Sequence, residues 1–143
     1  MYAPDRSIPV IVQVRDALEA LLGMTKAEGS IALSGQPSDG DYVAVNGVTF
    51  EFDSGGAVTA GRVLVTIAAT AALSLAALVA AMQERLLSDD PDIGLFAYVT
   101  AAAPTVSVGL TYYDVGEAGN LEITKSGTNI TVVGMSGGRA GVV

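Results

Sequence analysis

The stretch DYVAVNGVTFEF, residues 41–52, sets Asn46-Gly47 between two alternating runs, and that pair leaves the backbone few choices. A two-residue hairpin loop of the type I′ class needs positive φ at both positions, which Asn and Gly tolerate. The loop length then fixes the register. Val45 is expected opposite Val48, Val43 opposite Phe50, Tyr42 opposite Glu51 and Asp41 opposite Phe52. One face of the ribbon collects Val43, Val45, Val48, Phe50 and Phe52. The other collects Tyr42, Ala44, Thr49 and Glu51. A slip by one residue would put the phenylalanines in water. Just upstream, Pro37-Ser38-Asp39-Gly40 is a turn in which Pro fixes φ, Asp bonds its own backbone and Gly accepts positive φ. This register holds the carboxylates apart: Asp39 in the turn, Asp41 at the strand mouth, Glu51 on the polar face. They are expected to be solvated structural acids rather than a site.

The rest of the chain is read outward from this hairpin. Residues 8–22 predict a helix with one apolar stripe, Val10, Val14, Ala17, Leu18 and Leu21. Ser7 can cap it, Pro9 fits only its first turn, and Gly23 is a natural stop. Residues 29–35 predict a short strand. Val63, Val65 and Ile67 alternate as a strand does. Residues 70–87 then change to helical spacing, with Leu75, Leu78, Val79, Met82 and Leu86 on one face and alanine, the best helix former, filling much of the rest. Strands are expected over 95–102 and 105–113, the second with Val106, Val108, Leu110 and Tyr112 on one face. Residues 121–124 and 130–133 read as a closing hairpin around 125–128. The segment GMSGGRAGVV reads as an extended or loose Gly-rich tail.

Half of the 143 residues are apolar but only 6% are aromatic, so small and β-branched side chains must fill the core. The length suits one domain. Residues 1–28 are expected to form a helical arm and residues 29–143 an α+β domain. Fifteen acids against seven scattered bases give a net charge of −8, which argues against nucleic acid and anionic membranes as partners. Neither Cys nor His occurs, which removes disulfides, thiolate metal sites and the commonest general base. The start MYAPDRSIPV lacks the pattern of a secretory signal. Residues 63–83 carry no charge and approach the length of a membrane span, but their β-branched, alternating first third and the interruptions at Thr66, Thr70 and Ser74 favour a strand followed by a buried helix.

Few constellations offer chemistry. Asp89, Asp90 and Asp92 are hard-cation ligand types but lack EF-hand spacing. Asp114 and Glu117 flank a glycine loop without a sugar platform such as Trp. The run GGAVTAG at 55–61 is no phosphate loop, because no Lys-Ser/Thr follows it. Lys26 and Lys125 sit in no nucleophile motif. No catalytic, cofactor or metal residue is expected.

The order DGDYVAVNGVTFEFDSGGAVTAGRVLVTI, an alanine-rich helix, a strand region and GEAGNLEIT resembles a small α+β module of tailed-bacteriophage structural proteins. The matching positions are Asp39-Gly40-Asp41, Asn46-Gly47, Phe50, Phe52, the helix run from Leu75 through Ala81, and Gly116 with Gly119-Asn120. The resemblance covers roughly residues 29–124. It implies an α+β fold, an antiparallel sheet of short strands packed on one Ala-rich helix, here preceded by the N-terminal amphipathic helical arm. It implies a non-enzymatic virion protein, foremost a capsid decoration or cement protein that packs on other virion subunits and forms homo-oligomers without cofactor, nucleic acid or membrane. The arm residues Val10, Val14, Leu18 and Leu21 are the expected assembly interface, with packing of the same stripe on the chain's own sheet as the equal alternative, since any amphipathic helix needs some apolar partner. Two other readings stand beside it: a tail, baseplate or fibre-attachment component, and a host-glycan module built on Tyr98, Tyr112 and Tyr113 with calcium at 89–92.

Overall fold

In the computed structural model, which describes residues 13–15, 17–18, 21–89, 98–102 and 105–141, Asn46 and Gly47 take φ values of 52° and 77°. The hairpin they close joins β2 (Tyr42–Val45) to β3 (Val48–Asp53). Its register is the expected one: Val45 faces Val48, Val43 faces Phe50, and Tyr42 faces Glu51. Beyond the ladder, the Phe52 N–H donates to the Asp41 carbonyl at 2.7 Å, which extends the pairing to the strand mouth. Val43, Val45, Phe50 and Phe52 are all buried.

The chain forms a mixed α+β fold with two sheets and one main helix. Its strands are β1 (Met24–Leu33), β2, β3, β4 (Val63–Thr66), β5 (Tyr98–Ala102), β6 (Thr105–Val115), β7 (Ile123–Lys125), β8 (Ile130–Ser136) and β9 (Arg139–Ala140). The helix, α1, spans Ala71–Asp89 between β4 and β5. One sheet runs β5-β6-β1-β8, with β9 also paired to β1; the other runs β4-β3-β2-β7. A single sheet was the expectation. The division arises because β7 pairs with β2 while β8 pairs with β1. Residues 121–133 therefore do not make a closing hairpin. The corner after β7 carries the chain from one sheet to the other, held by Ser126, whose N–H donates to the Tyr42 carbonyl and whose hydroxyl accepts from the Tyr42 N–H, each at 3.0 Å.

Pairing is antiparallel except between β3 and β4. A parallel partner requires the chain to return along the strand it has just left. Here residues 54–62 make that return without a helix, and the acids of the hairpin hold them, as described below. β1 starts at Met24, earlier than the strand expected over 29–35, so residues assigned to the arm belong to the sheet. The tail is also built into the fold. β8 continues to Ser136, and β9 pairs Met24 with Ala140 and Thr25 with Arg139.

One core lies between the sheets and α1. Ile31 and Leu33 of β1, Val106, Val108 and Leu110 of β6, and Ile130 of β8 meet Phe50, Phe52 and Val65 from the second sheet. Leu75, Leu78 and Met82 face it from α1, as their spacing predicts. Thr70 caps this helix: its hydroxyl accepts the Leu73 N–H at 3.2 Å. Ser74, which reads in the sequence as a mere break in an apolar run, is fully buried and organises the junction. Its hydroxyl donates to Gln36 Oε1 at 2.9 Å and accepts from the Ala68 N–H at 2.9 Å. Asn129, in the corner before β8, reaches the Gln36 carbonyl at 2.7 Å. The network ties helix, β1 end and corner together with every buried polar side-chain atom among the described residues satisfied.

Candidate interaction surface

The acids of the hairpin do not converge, and each has a backbone task. Asp39 accepts the Ser54 N–H at 2.7 Å and its hydroxyl at 3.0 Å. Asp53 accepts the Ala57 N–H at 2.9 Å. Glu51 accepts the Thr59 N–H at 3.3 Å. These three carboxylates thus pin successive points of the 54–62 return. Asp41 instead closes its own turn by accepting the Ser38 N–H at 2.8 Å.

Glu51 departs from the expectation of a solvated acid. It is 5% exposed, because the return loop folds over the polar face of the hairpin. Arg62 comes with that loop, placing Nη1 2.8 Å from Glu51 Oε2 and its guanidinium 4.8 Å from the centre of the Tyr42 ring. Burial by itself disfavours the carboxylate, but hydrogen bonds from Thr59 and Arg62, together with the guanidinium charge, outweigh it. They hold the Glu51 carboxyl below its ordinary value of 4.5. The consequence for stability has a definite sign. At neutral pH, Glu51 is ionised in both folded and unfolded chains, and its advantage over a Glu51→Gln variant is constant. As pH falls below 4.5 the unfolded chain takes up the proton first, and the advantage shrinks until the folded chain also protonates. Urea midpoints of the two proteins, measured from pH 7 downward, should converge below that value. A gap that widens on acidification would contradict the assignment.

The other candidate groups are dispersed. Asp114 and Glu117 are both exposed, on either side of Gly116. Lys125 donates to the Gly127 carbonyl at 2.8 Å. Asp89 ends α1, while Asp90 and Asp92 lie outside the described residues, as do the side chains of Asp89, Tyr98 and Tyr113. Tyr112 is half-buried against the core. Among the described residues no group of three or more metal-ligating side chains assembles. No helix among them is long and apolar enough to cross a membrane.

Exposed apolar side chains are what the surface does offer. Residues 13–15, 17–18 and 21 are helical, the Leu22 N–H donates to the Leu18 carbonyl at 3.0 Å, and Gly23 ends the segment at φ 72°. Val14 and Leu18 are each about half exposed, and Leu21 is 80% exposed; Leu22 adds to the same strip. Val10, the fourth expected interface residue, lies outside the described residues. A second surface feature, a groove of mixed polar and apolar lining, was not foreseen. Between edge strand β4 and α1 runs an open groove of about 290 Å³, lined by Val63, Leu64, Ala81, Glu84 and Arg85. Alternation put Leu64 opposite the core-facing Val63 and Val65, but only the topology shows that β4 is an edge strand with α1 beside it. No protein-family model, curated protein or solved structure matches this chain.

Proposed function

We propose that this chain is a non-enzymatic structural protein of a tailed-phage particle, a capsid decoration or cement protein whose N-terminal amphipathic helical arm packs on neighbouring virion subunits. The observation that supports this reading is the exposed strip of Val14, Leu18 and Leu21 beside a body whose hairpin acids are occupied in holding a loop. A monomer gains nothing by holding such side chains in water, whereas each one fully buried at a contact contributes about 1.5–3 kcal/mol. The phage-module resemblance of residues 29–124 supports the same assignment, and an antiparallel framework backed by an Ala-rich helix would supply the rigid platform.

The test is direct. An antibody raised against the purified protein is applied to intact particles from the phage that encodes it, and the particles are imaged. Dense labelling over the head is the expected result. Label confined to the tail would move the protein to a baseplate or fibre role. Protein found only in the unassembled fraction of the lysate would overturn the virion assignment.

A further inference from the structure

We infer that Asn46 is a site of spontaneous backbone modification: in the folded chain its side-chain amide is lost through attack by the Gly47 nitrogen, and the product unlocks the hairpin. The chemistry needs an asparagine amide with no partner, a following backbone nitrogen with no acceptor, and no side chain crowding the approach. All three conditions meet at this turn. Asn46 and Gly47 are both exposed, and the Asn46 side chain has no hydrogen-bond partner among the described residues. The Gly47 N–H donates to no backbone carbonyl among them. Beyond its chain neighbours, no atom lies within 4 Å of where a Cβ of Gly47 would stand. The other two asparagines are held. Asn120 accepts the Gly138 N–H at 2.8 Å and donates to the Gly138 carbonyl at 3.1 Å, and the Leu121 N–H that follows it donates to the Gly119 carbonyl at 2.8 Å. Asn129 donates to the Gln36 carbonyl at 2.7 Å and is followed by β-branched Ile130. At Asp39-Gly40, the acid counterpart of the pair, the carboxylate holds Ser54 and the Gly40 N–H donates to the Phe52 carbonyl at 2.8 Å.

Water is the only co-reactant. The Gly47 nitrogen gives up its proton and bonds to Cγ, the side-chain carbonyl carbon of Asn46. The Cγ–Nδ2 bond breaks, and Nδ2 leaves as ammonia. The succinimide ring that remains is opened by water at one of its two carbonyl carbons. Opening at Cγ leaves an aspartyl residue on the original backbone. Opening at the main-chain carbonyl leaves an isoaspartyl residue, whose chain runs through the former side chain and is one methylene longer. The turn starts with φ at 52° and 77° and must swing out of this arrangement to bring the Gly47 nitrogen onto Cγ. An exposed loop tip is among the parts of a fold that open most readily. The longer isoaspartyl link then strikes at the loop length that sets the Val45–Val48 pairing. The register that buries Val43, Val45, Phe50 and Phe52 no longer closes cleanly. The pair that specifies the hairpin thereby limits its lifetime.

Ageing of the full chain tests this. Purified protein is held folded at mildly alkaline pH, with a parallel sample unfolded in guanidinium chloride, and both are mapped by peptide mass spectrometry with enzymatic labelling of isoaspartyl groups. In the folded sample Asn46 should convert about tenfold faster or more than Asn120 and Asn129, a barrier difference of about 1.4 kcal/mol. The rate should rise with pH, because the attacking nitrogen must lose its proton. Isoaspartyl protein, separated by its added negative charge, should have a lower urea midpoint than fresh protein. Asn46→Gly keeps a pair that suits the turn and should age without either change. The wild-type mapping decides the matter whether or not that variant folds. An Asn46 that survives in the folded chain while converting in the unfolded one would overturn the inference, since the turn would then shield it. So would equal conversion at all three asparagines of the folded chain, or an isoaspartyl product with an unchanged midpoint.

Discussion

Replacing Phe50 by alanine is expected to cost about 3–5 kcal/mol, the range for emptying a buried aromatic site. Phe50 is fully buried, opposite Val43 on one side and Val63 on the other. It therefore sits where the hairpin and the parallel strand β4 meet the core, and neighbours in three strands cannot collapse together into the space it leaves. Against a typical total of ~5–15 kcal/mol, the loss is a large share of the folding free energy. The thermal midpoint should fall by roughly 10–20 °C. Thr49→Ala is the control, because Thr49 lies next in sequence but on the opposite face of β3, where it is half-buried. Its cost should stay below about 1 kcal/mol, as for most substitutions away from the core. Equal effects at the two positions would mean that the register read from Asn46-Gly47 is wrong. Urea titrations with unchanged slope would assign the difference to stability rather than to a change in compactness.

Replacing Gly127 by alanine is expected to cost about 2.5–5 kcal/mol, from two separable sources. Gly127 has φ 85°, a conformation that costs a residue with a Cβ roughly 1–2 kcal/mol. A Cβ there would also press into the Asp41 carboxylate. That carboxylate can yield only by releasing the Ser38 N–H, a charge-assisted bond of about 1.5–3 kcal/mol. The effect should be large because this corner carries the chain from β7 in one sheet to β8 in the other. The two sources are distinguished by a double-mutant cycle. Asp41→Ala alone removes the Ser38 bond, and in that background Gly127→Ala meets no carboxylate and adds only the backbone cost. The double variant should therefore be clearly more stable than the sum of the single losses. Additive losses would show that the corner accommodates the methyl group without disturbing Asp41.

These two positions also show how differently parts of the fold are written in the sequence. Phe50 was legible because a two-residue turn fixes its register and a period of two fixes its face; both are local rules. The same holds for Leu75, Leu78 and Met82, whose helical spacing places them together whatever lies opposite. The role of Gly127 was not legible. Its neighbour Asp41 is far away in sequence, and the collision depends on which sheet receives β7. Local spacing favoured a hairpin of residues 121–133, since two short strands around a glycine turn usually pair with each other. They separate because β2 and β1 each offer a longer-range edge, and burial against the shared core decides between partners of similar local propensity.

The candidate surface divides in the same way. The strip of Val14, Leu18 and Leu21 follows from periodicity, but periodicity only says that the strip needs an apolar partner. Its exposure had to come from the structure. The groove between β4 and α1 combines Val63 and Leu64 with Ala81, Glu84 and Arg85, residues brought together only by α1 lying beside an edge strand.

By itself the sequence determined the hairpin, its register, the buried faces of the strands and the inward stripe of the helix, because turn chemistry and side-chain period act over a few neighbouring residues. Tertiary structure alone decided that the strands divide between two sheets, that Glu51 is covered and paired with Arg62 rather than solvated, and that the tail joins β1. Each of those outcomes is a choice among distant partners, settled by which arrangement buries the shared apolar core while leaving every buried polar side-chain atom among the described residues a hydrogen bond.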